Sequence, residues 1–165
     1  MELSKLDRLV LANQHAILEK LDEQNADHHA HMRKVYENGY AINYSDDFEN
    51  IYDEFSREES GFVIDVLDMY SAMQRSWKQL GSPDDLNESD LRFPGFDGNN
   101  ETSYMAYAKF VVKDEDRFTD LNIFDFNSHM HMLDSYRSMV NAWKQKGTPE
   151  RYKLSLQGIK DILDQ

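Results

Sequence analysis

Leu67-Asp68-Met69-Tyr70-Ser71-Ala72-Met73-Gln74-Arg75-Ser76-Trp77-Lys78-Gln79-Leu80-Gly81-Ser82-Pro83 is the stretch on which the fold turns. Leu67, Tyr70, Met73, Trp77 and Leu80 recur at steps of three and four, the spacing of one buried helix stripe. Gly81 ends the helix, Ser82 is placed to cap the next turn, and Pro83 takes a first position where a missing N–H costs nothing. Residues 133–149 repeat this stretch without gaps, and nine of the 17 positions are identical, among them Tyr70/Tyr136, Met73/Met139, Trp77/Trp143 and Gly81/Gly147. Average residue usage gives roughly one match in such a window. Two copies 66 residues apart read as a duplicated helix–turn unit, with the two indoles in equivalent pockets. Independent convergence on helix-ending chemistry is the competing reading, and the matched Tyr and Met upstream of the turn favour duplication. Tyr70, Trp77, Tyr136 and Trp143 are therefore expected in the core.

Outward from the repeat the same spacing continues. Val63 and Val66 extend the first long helix, expected over 59–80. Ser4 followed by Asp7 marks an earlier start, and Leu6, Val10, Asn13, Ile17 and Leu21 recur behind it, widened by Leu9, Leu11 and Leu18. So broad an apolar face contacts more than one neighbour, a second subunit among the candidates. A further helix over 27–38 turns Met32, Val35 and Tyr36 inward and stops at Gly39. Residues 45–55 place Phe48, Ile51, Tyr52 and Phe55 on one face of a short helix. Asn100 is placed to cap a helix over 101–113, and helices over 128–146 and 155–163 complete the chain. Val111-Val112 and Leu121-Asn122-Ile123 are the only strand hints, too short to build a sheet. The expected fold is all-α and multihelical: an N-terminal helical hairpin (residues 1–56) packed on a second helical subdomain (57–165) that holds the repeat, the two forming one compact unit.

The 165 residues include no cysteine, which excludes disulfides, thiolate zinc and a thiol nucleophile. Acids at Glu2 and Asp7 replace the basic region of an export signal, and no early apolar run spans a membrane, so a cytoplasmic protein without a membrane partner is expected. Eighteen basic against 31 acidic residues give a formal charge of −13. That surface repels phosphate backbones and anionic lipid. Nine acids and one base lie between Asp46 and Asp68, whereas six bases and four acids lie from His129 onward. Two such halves could meet head to tail between subunits; solvated helix faces explain the pattern as well.

Arg8-Leu9-Val10-Leu11-Ala12-Asn13-Gln14, Glu37-Asn38-Gly39-Tyr40, Val63 to Tyr70 with Ser76-Trp77, and above all Phe93-Pro94-Gly95-Phe96-Asp97-Gly98-Asn99-Asn100-Glu101 with Tyr104, Tyr107 and Phe110, resemble the YfbU family. Arg117-Phe118, Asn127-Ser128-His129, Tyr136 and Trp143 continue the likeness over essentially the whole chain. The resemblance implies an all-helical, cytosolic, bacterial protein. It supplies no activity and no catalytic residues.

Four constellations have chemistry to weigh. In the loop 92–101, Arg92, Asp97, Asn99 and Asn100 stand before a helix start whose free N–H groups could hold an anion. Against this, Asx residues bond their own backbone in turns, and Phe93 and Phe96 would anchor the loop to the core. Asp27, His28, His29 and His31, and separately Asp125, His129 and His131, mix carboxylate and imidazole, as zinc and iron sites do. They lack the repeated Glu-x-x-His of di-iron bundles, so no metal and no cofactor is expected. Asp65 and Asp68 share a helix face, most simply as solvated acids, and no catalytic residue is assigned. Asp68, repeated as Asp134, reads as structural. Arg137, Lys144, Lys146, Arg151 and Lys153 flank a turn that could pass for a DNA-binding one, but its repeat partner carries Asp84 and Asp85. The reading favoured is a non-enzymatic, homo-oligomeric protein acting through protein–protein interaction. A ligand- or metal-using enzyme built on the 92–101 loop or the histidines, and a DNA-binding regulator using the C-terminal helices, are the alternatives.

Overall fold

A computed structural model describes residues 2–165. Among the described residues seven α-helices follow one another: α1 (Lys5–Leu21), α2 (Ala26–Asn38), α3 (Ser45–Phe48), α4 (Arg57–Gln79), α5 (Thr102–Lys113), α6 (Leu133–Gln145) and α7 (Leu156–Leu163). Two isolated parallel bridges, Phe93 to Ile123 and Phe96 to Asn127, are the only extended pairings described. The fold is all-α. The chain divides into two compact units, one ending at Glu54 and the other covering Phe55–Gln165.

In the first unit α1 and α2 form a hairpin. Ser4 caps α1 by accepting from the Asp7 N–H while the Asp7 carboxylate accepts from the Ser4 N–H, a reciprocal box. Gly39, at φ 73°, ends α2 in the left-handed conformation that a side chain resists. The small core is Ala12, Met32, Val35, Tyr36 and Tyr44. Ala12 and His15 are the α1 residues buried in it. They stand opposite the apolar stripe, because about 100° per residue separates their side of the helix from that of Val10 and Ile17.

The second unit is built on α4, where Ser56 and Glu59 form another capping box and Val63, Val66, Leu67, Tyr70, Met73 and Trp77 are buried. Their burial holds α5, α6 and α7 against it in one apolar core. Tyr70 and Tyr136, equivalent in the repeat, meet edge to face with centroids 5.9 Å apart, and Phe93 and Phe96 pack on Tyr136. Trp77 Nε1 donates to the Pro83 carbonyl at 3.4 Å and Trp143 Nε1 to that of Arg151 at 2.7 Å. Each indole thus bonds the chain just after its own helix end. The paths beyond the two glycines differ: Ser82 has φ 55°, whereas Thr148–Pro149 is cis. Pro83 and Pro149 do not open α-helices as expected; Pro149 precedes only a 3-10 turn, Glu150–Tyr152.

Several elements differ from those expected. Residues 51–55 leave the helix after Phe48, and Ile51 and Tyr52 are exposed. Leu80 is a helix cap, 48% exposed, instead of core. α6 begins at Leu133 and not at 128, because the buried Glu101 carboxylate takes the N–H groups of Met132 and Leu133 and fixes the helix start there. Asn100 does not cap α5; Glu101 holds that position, and the Asn100 amide turns back to Asp97. Leu121-Asn122-Ile123, read as lacking a partner, finds one in the 93–96 loop. Phe93 N–H donates to the Asn122 carbonyl at 3.1 Å, and Phe124 N–H to that of Phe93 at 3.2 Å.

Candidate functional site

The most unusual surface is the outer side of α1. Leu6, Leu9, Val10, Ile17 and Leu21 are 68%, 57%, 56%, 59% and 75% exposed. At about 100° per residue they fall within an arc of roughly 120°. Asn13 and Lys20 are the other residues of that arc, and no carboxylate belongs to it. Exposed apolar side chains scattered singly are ordinary; here five lie in one row along a helix. The sequence located the stripe. It did not show that the inner face of the hairpin would be the polar-edged one, with Ala12 and His15 inward.

That inner face gathers a group of titratable side chains in which the sequence had singled out His28 and His29 but not His15, Tyr36 or Asp47. His15, 6% exposed, has Nε2 2.6 Å from Asp47 Oδ2, and the Tyr36 hydroxyl donates to the same oxygen at 2.7 Å. His15 Nδ1 lies 3.1 Å from His29 Nδ1, and His28 Nε2 is 3.6 Å from Asp47 Oδ1. Burial first, then the Asp47 carboxylate, pushes the Tyr36 hydroxyl above its ordinary range. A carboxylate-oriented imidazole works as a general base when its second nitrogen can reach substrate. Here that nitrogen faces another imidazole, so the network reads as a polar joint tying α1, α2 and α3. No periodicity pointed to it: Asp47 lies 32 residues from His15 and meets it only through the fold. Of the residues grouped in sequence, Asp27 and His31 are exposed and outside this network, as are Asp125 and His129. Among the described residues no three His, Cys, Asp or Glu side chains are arranged to hold a metal.

The loop 92–101 is bonded to itself and its neighbours. Asp97 Oδ1 accepts from the Asn99 N–H at 2.9 Å and Oδ2 from the Asn100 amide at 2.6 Å. The Asn100 bond first, then the Asn99 N–H, holds the Asp97 carboxyl below the usual range. Glu101 accepts from Asp97 N–H at 3.0 Å, Met132 N–H at 2.8 Å and Leu133 N–H at 3.0 Å. Tyr136 donates to the Gly95 carbonyl at 2.7 Å. The donors that could receive an anion are thus partly committed within the protein, Asn99 and Asn100 are exposed at the rim, and Arg92 is exposed. Buried carboxylates occupy the place where an anion would compete.

The remaining candidates disperse. Lys144 pairs with Asp65, Lys146 lies 3.6 Å from Asp161, and the Arg151 guanidinium sits 4.9 Å from the rings of both Trp143 and Tyr152. The Arg137 guanidinium lies 5.8 Å from the Phe62 ring, so four of the five bases suggested for DNA are engaged locally. Asp68 is partly buried, and burial, reinforced by Asp65, raises its pKa, whereas Asp134 is exposed, so the repeated aspartates differ in environment. A hollow of about 550 Å³ beside α5 is walled largely by Phe118, Leu121, Ile123, Phe124 and Phe126.

The YfbU domain model matches residues 1–165, the whole chain. The chain belongs to the YfbU family. It is 38% identical over 169 residues to a UPF0304 protein of Methanocaldococcus jannaschii, with 98% of this chain and 99% of that protein aligned. The all-helical fold implied by the resemblance along the whole chain is the fold observed for this YfbU chain. Neither name carries a chemical activity. No described helix is long and apolar enough to cross a membrane.

Proposed function

We propose that this YfbU protein is a non-enzymatic interaction protein of the cytoplasm that binds protein through the outer face of α1. The observation behind it is the exposed row Leu6, Leu9, Val10, Ile17 and Leu21 on one side of a 17-residue, capped helix. Such a helix, about 25 Å long, offers anchors at helical spacing of the kind that helix-binding surfaces use. The commitment of Asp97, Glu101 and His15 to internal bonds supports the non-enzymatic part. The test is a photo-activated cross-linking residue at Val10, compared in living cells with the same residue at exposed Lys109. Protein adducts from position 10 well above those from position 109 are expected. Equal, sparse labelling at both positions would contradict the reading.

A further inference from the structure

Three further features of the chain bear on what covers the α1 face. The first is the economy of the N-terminal unit. It ends at Glu54 and has five buried apolar residues, while nine of the 14 exposed large apolar side chains among the described residues lie in it. A unit this small covers only about 60% of its unfolded surface even when well built. Units of that kind gain stability from association.

The second is charge. Two copies of a chain with net charge −13 repel one another. They approach most easily through a face without carboxylates, and the α1 arc has Lys20 as its one charged residue. The third is symmetry. Asn13 is the midpoint of Lys5–Leu21 and the uncharged polar residue within the apolar row. Leu9 and Ile17 lie four residues to either side of it, and Leu6 and Lys20 seven to either side. In an antiparallel pair with a two-fold axis at the midpoint, Asn13 meets its own copy. An amide both donates and accepts, so it is complementary to itself, and a lone buried Asn is a known way of fixing helix register. The two helix dipoles then run head to tail.

We propose that a second copy of this chain covers the α1 face, the two α1 helices crossing antiparallel at Asn13 with Leu9 of each opposite Ile17 of the other. This identifies the partner and rests on the reading that α1 binds protein. Two-fold pairing makes the interface isologous and closed, giving dimers and not filaments.

Because the chain has no cysteine, single cysteines are clean probes. The purified full chain carrying Asn13→Cys should oxidise almost completely to a disulfide dimer. Leu9→Cys and Ile17→Cys should each remain largely unlinked alone but cross-link to one another when mixed. Efficient self-linking by Leu9→Cys alone would mean parallel pairing and overturn the proposal, as would failure of both Asn13→Cys and the mixture to link. If wild-type protein is monomeric in light scattering while a cross-linker at Val10 captures a different protein, self-pairing falls and the α1 interaction reading stands. If Val10 captures nothing, both fall.

Discussion

The buried carboxylate of Glu101 does more for the fold than its place in a loop suggested. It accepts three backbone N–H groups, two of them at the start of α6, 31 and 32 residues away. Glu101→Ala leaves those donors unsatisfied and is expected to lower stability by roughly 2–4 kcal/mol in urea unfolding. Glu101→Gln, which keeps one oxygen, should lose less. Asp97 gives a pH signature. Its pKa is depressed in the fold by Asn100 and the Asn99 N–H, so the unfolded chain binds its proton first as pH falls. Its contribution is complete above the ordinary carboxyl range near pH 4 and disappears as pH drops through the lower folded value. Urea midpoints measured from pH 6 down to pH 2.5 should therefore fall less steeply in Asp97→Asn than in wild type. The sequence reading of Asp97 as a possible ligand came from its residue type and its place before a helix start. Type cannot tell a carboxylate that waits for a guest from one already satisfied by its own turn.

Elements were legible where period and punctuation agreed. Ser4 with Asp7, Gly39, and the Leu67-Tyr70-Met73-Trp77 stripe marked helices whose centres lie as expected, because local capping and a single apolar face suffice to define them. Failures came where a distant group decided the boundary. α6 starts late because Glu101 reaches its first N–H groups, and the Leu121–Ile123 strand hint is answered by a loop 30 residues away. Gly95 makes that pairing possible: at φ 96°, a Cβ there would stand 2.2 Å from the Phe126 carbonyl carbon. Gly95→Ala is predicted to lower the melting temperature by more than about 10 °C, a drop equal to several kcal/mol in a chain this long, whereas Gly61→Ala, with open space around its Cβ, should not. Gln74 stitches the same region, donating to the Leu91 and Asn122 carbonyls and accepting from the Asn122 N–H. Its counterpart in the repeated stretch is Val140, which has no side-chain donor or acceptor, so only the first copy can tie these loops.

At the scale of the molecule, composition excluded thiol chemistry and gave the acidic surface, but it could not say which way α1 faces. Its apolar row was expected to contact more than one neighbour, whereas the buried α1 residues are Ala12 and His15. The outer choice became visible only when Ala12 and His15 were found against α2, leaving Leu6, Val10, Ile17 and Leu21 to solvent. An interface held by apolar contact between two acidic copies has a salt dependence opposite to that of an ion-paired one. Screening weakens the long-range repulsion and leaves the burial term, so the dissociation constant should fall as ionic strength rises from 20 to 200 mM. Asn13→Leu should tighten association while loosening its register, because the self-complementary amide is gone. The most direct measurement is sedimentation equilibrium of the purified chain at about 10 μM, beside the Val10→Glu/Ile17→Glu variant. Wild type should sediment at twice the 19.4 kDa chain mass and the variant at a single chain mass, with unchanged helical circular dichroism. A wild-type protein that sediments at 19.4 kDa, or a variant that stays dimeric, would contradict pairing through α1.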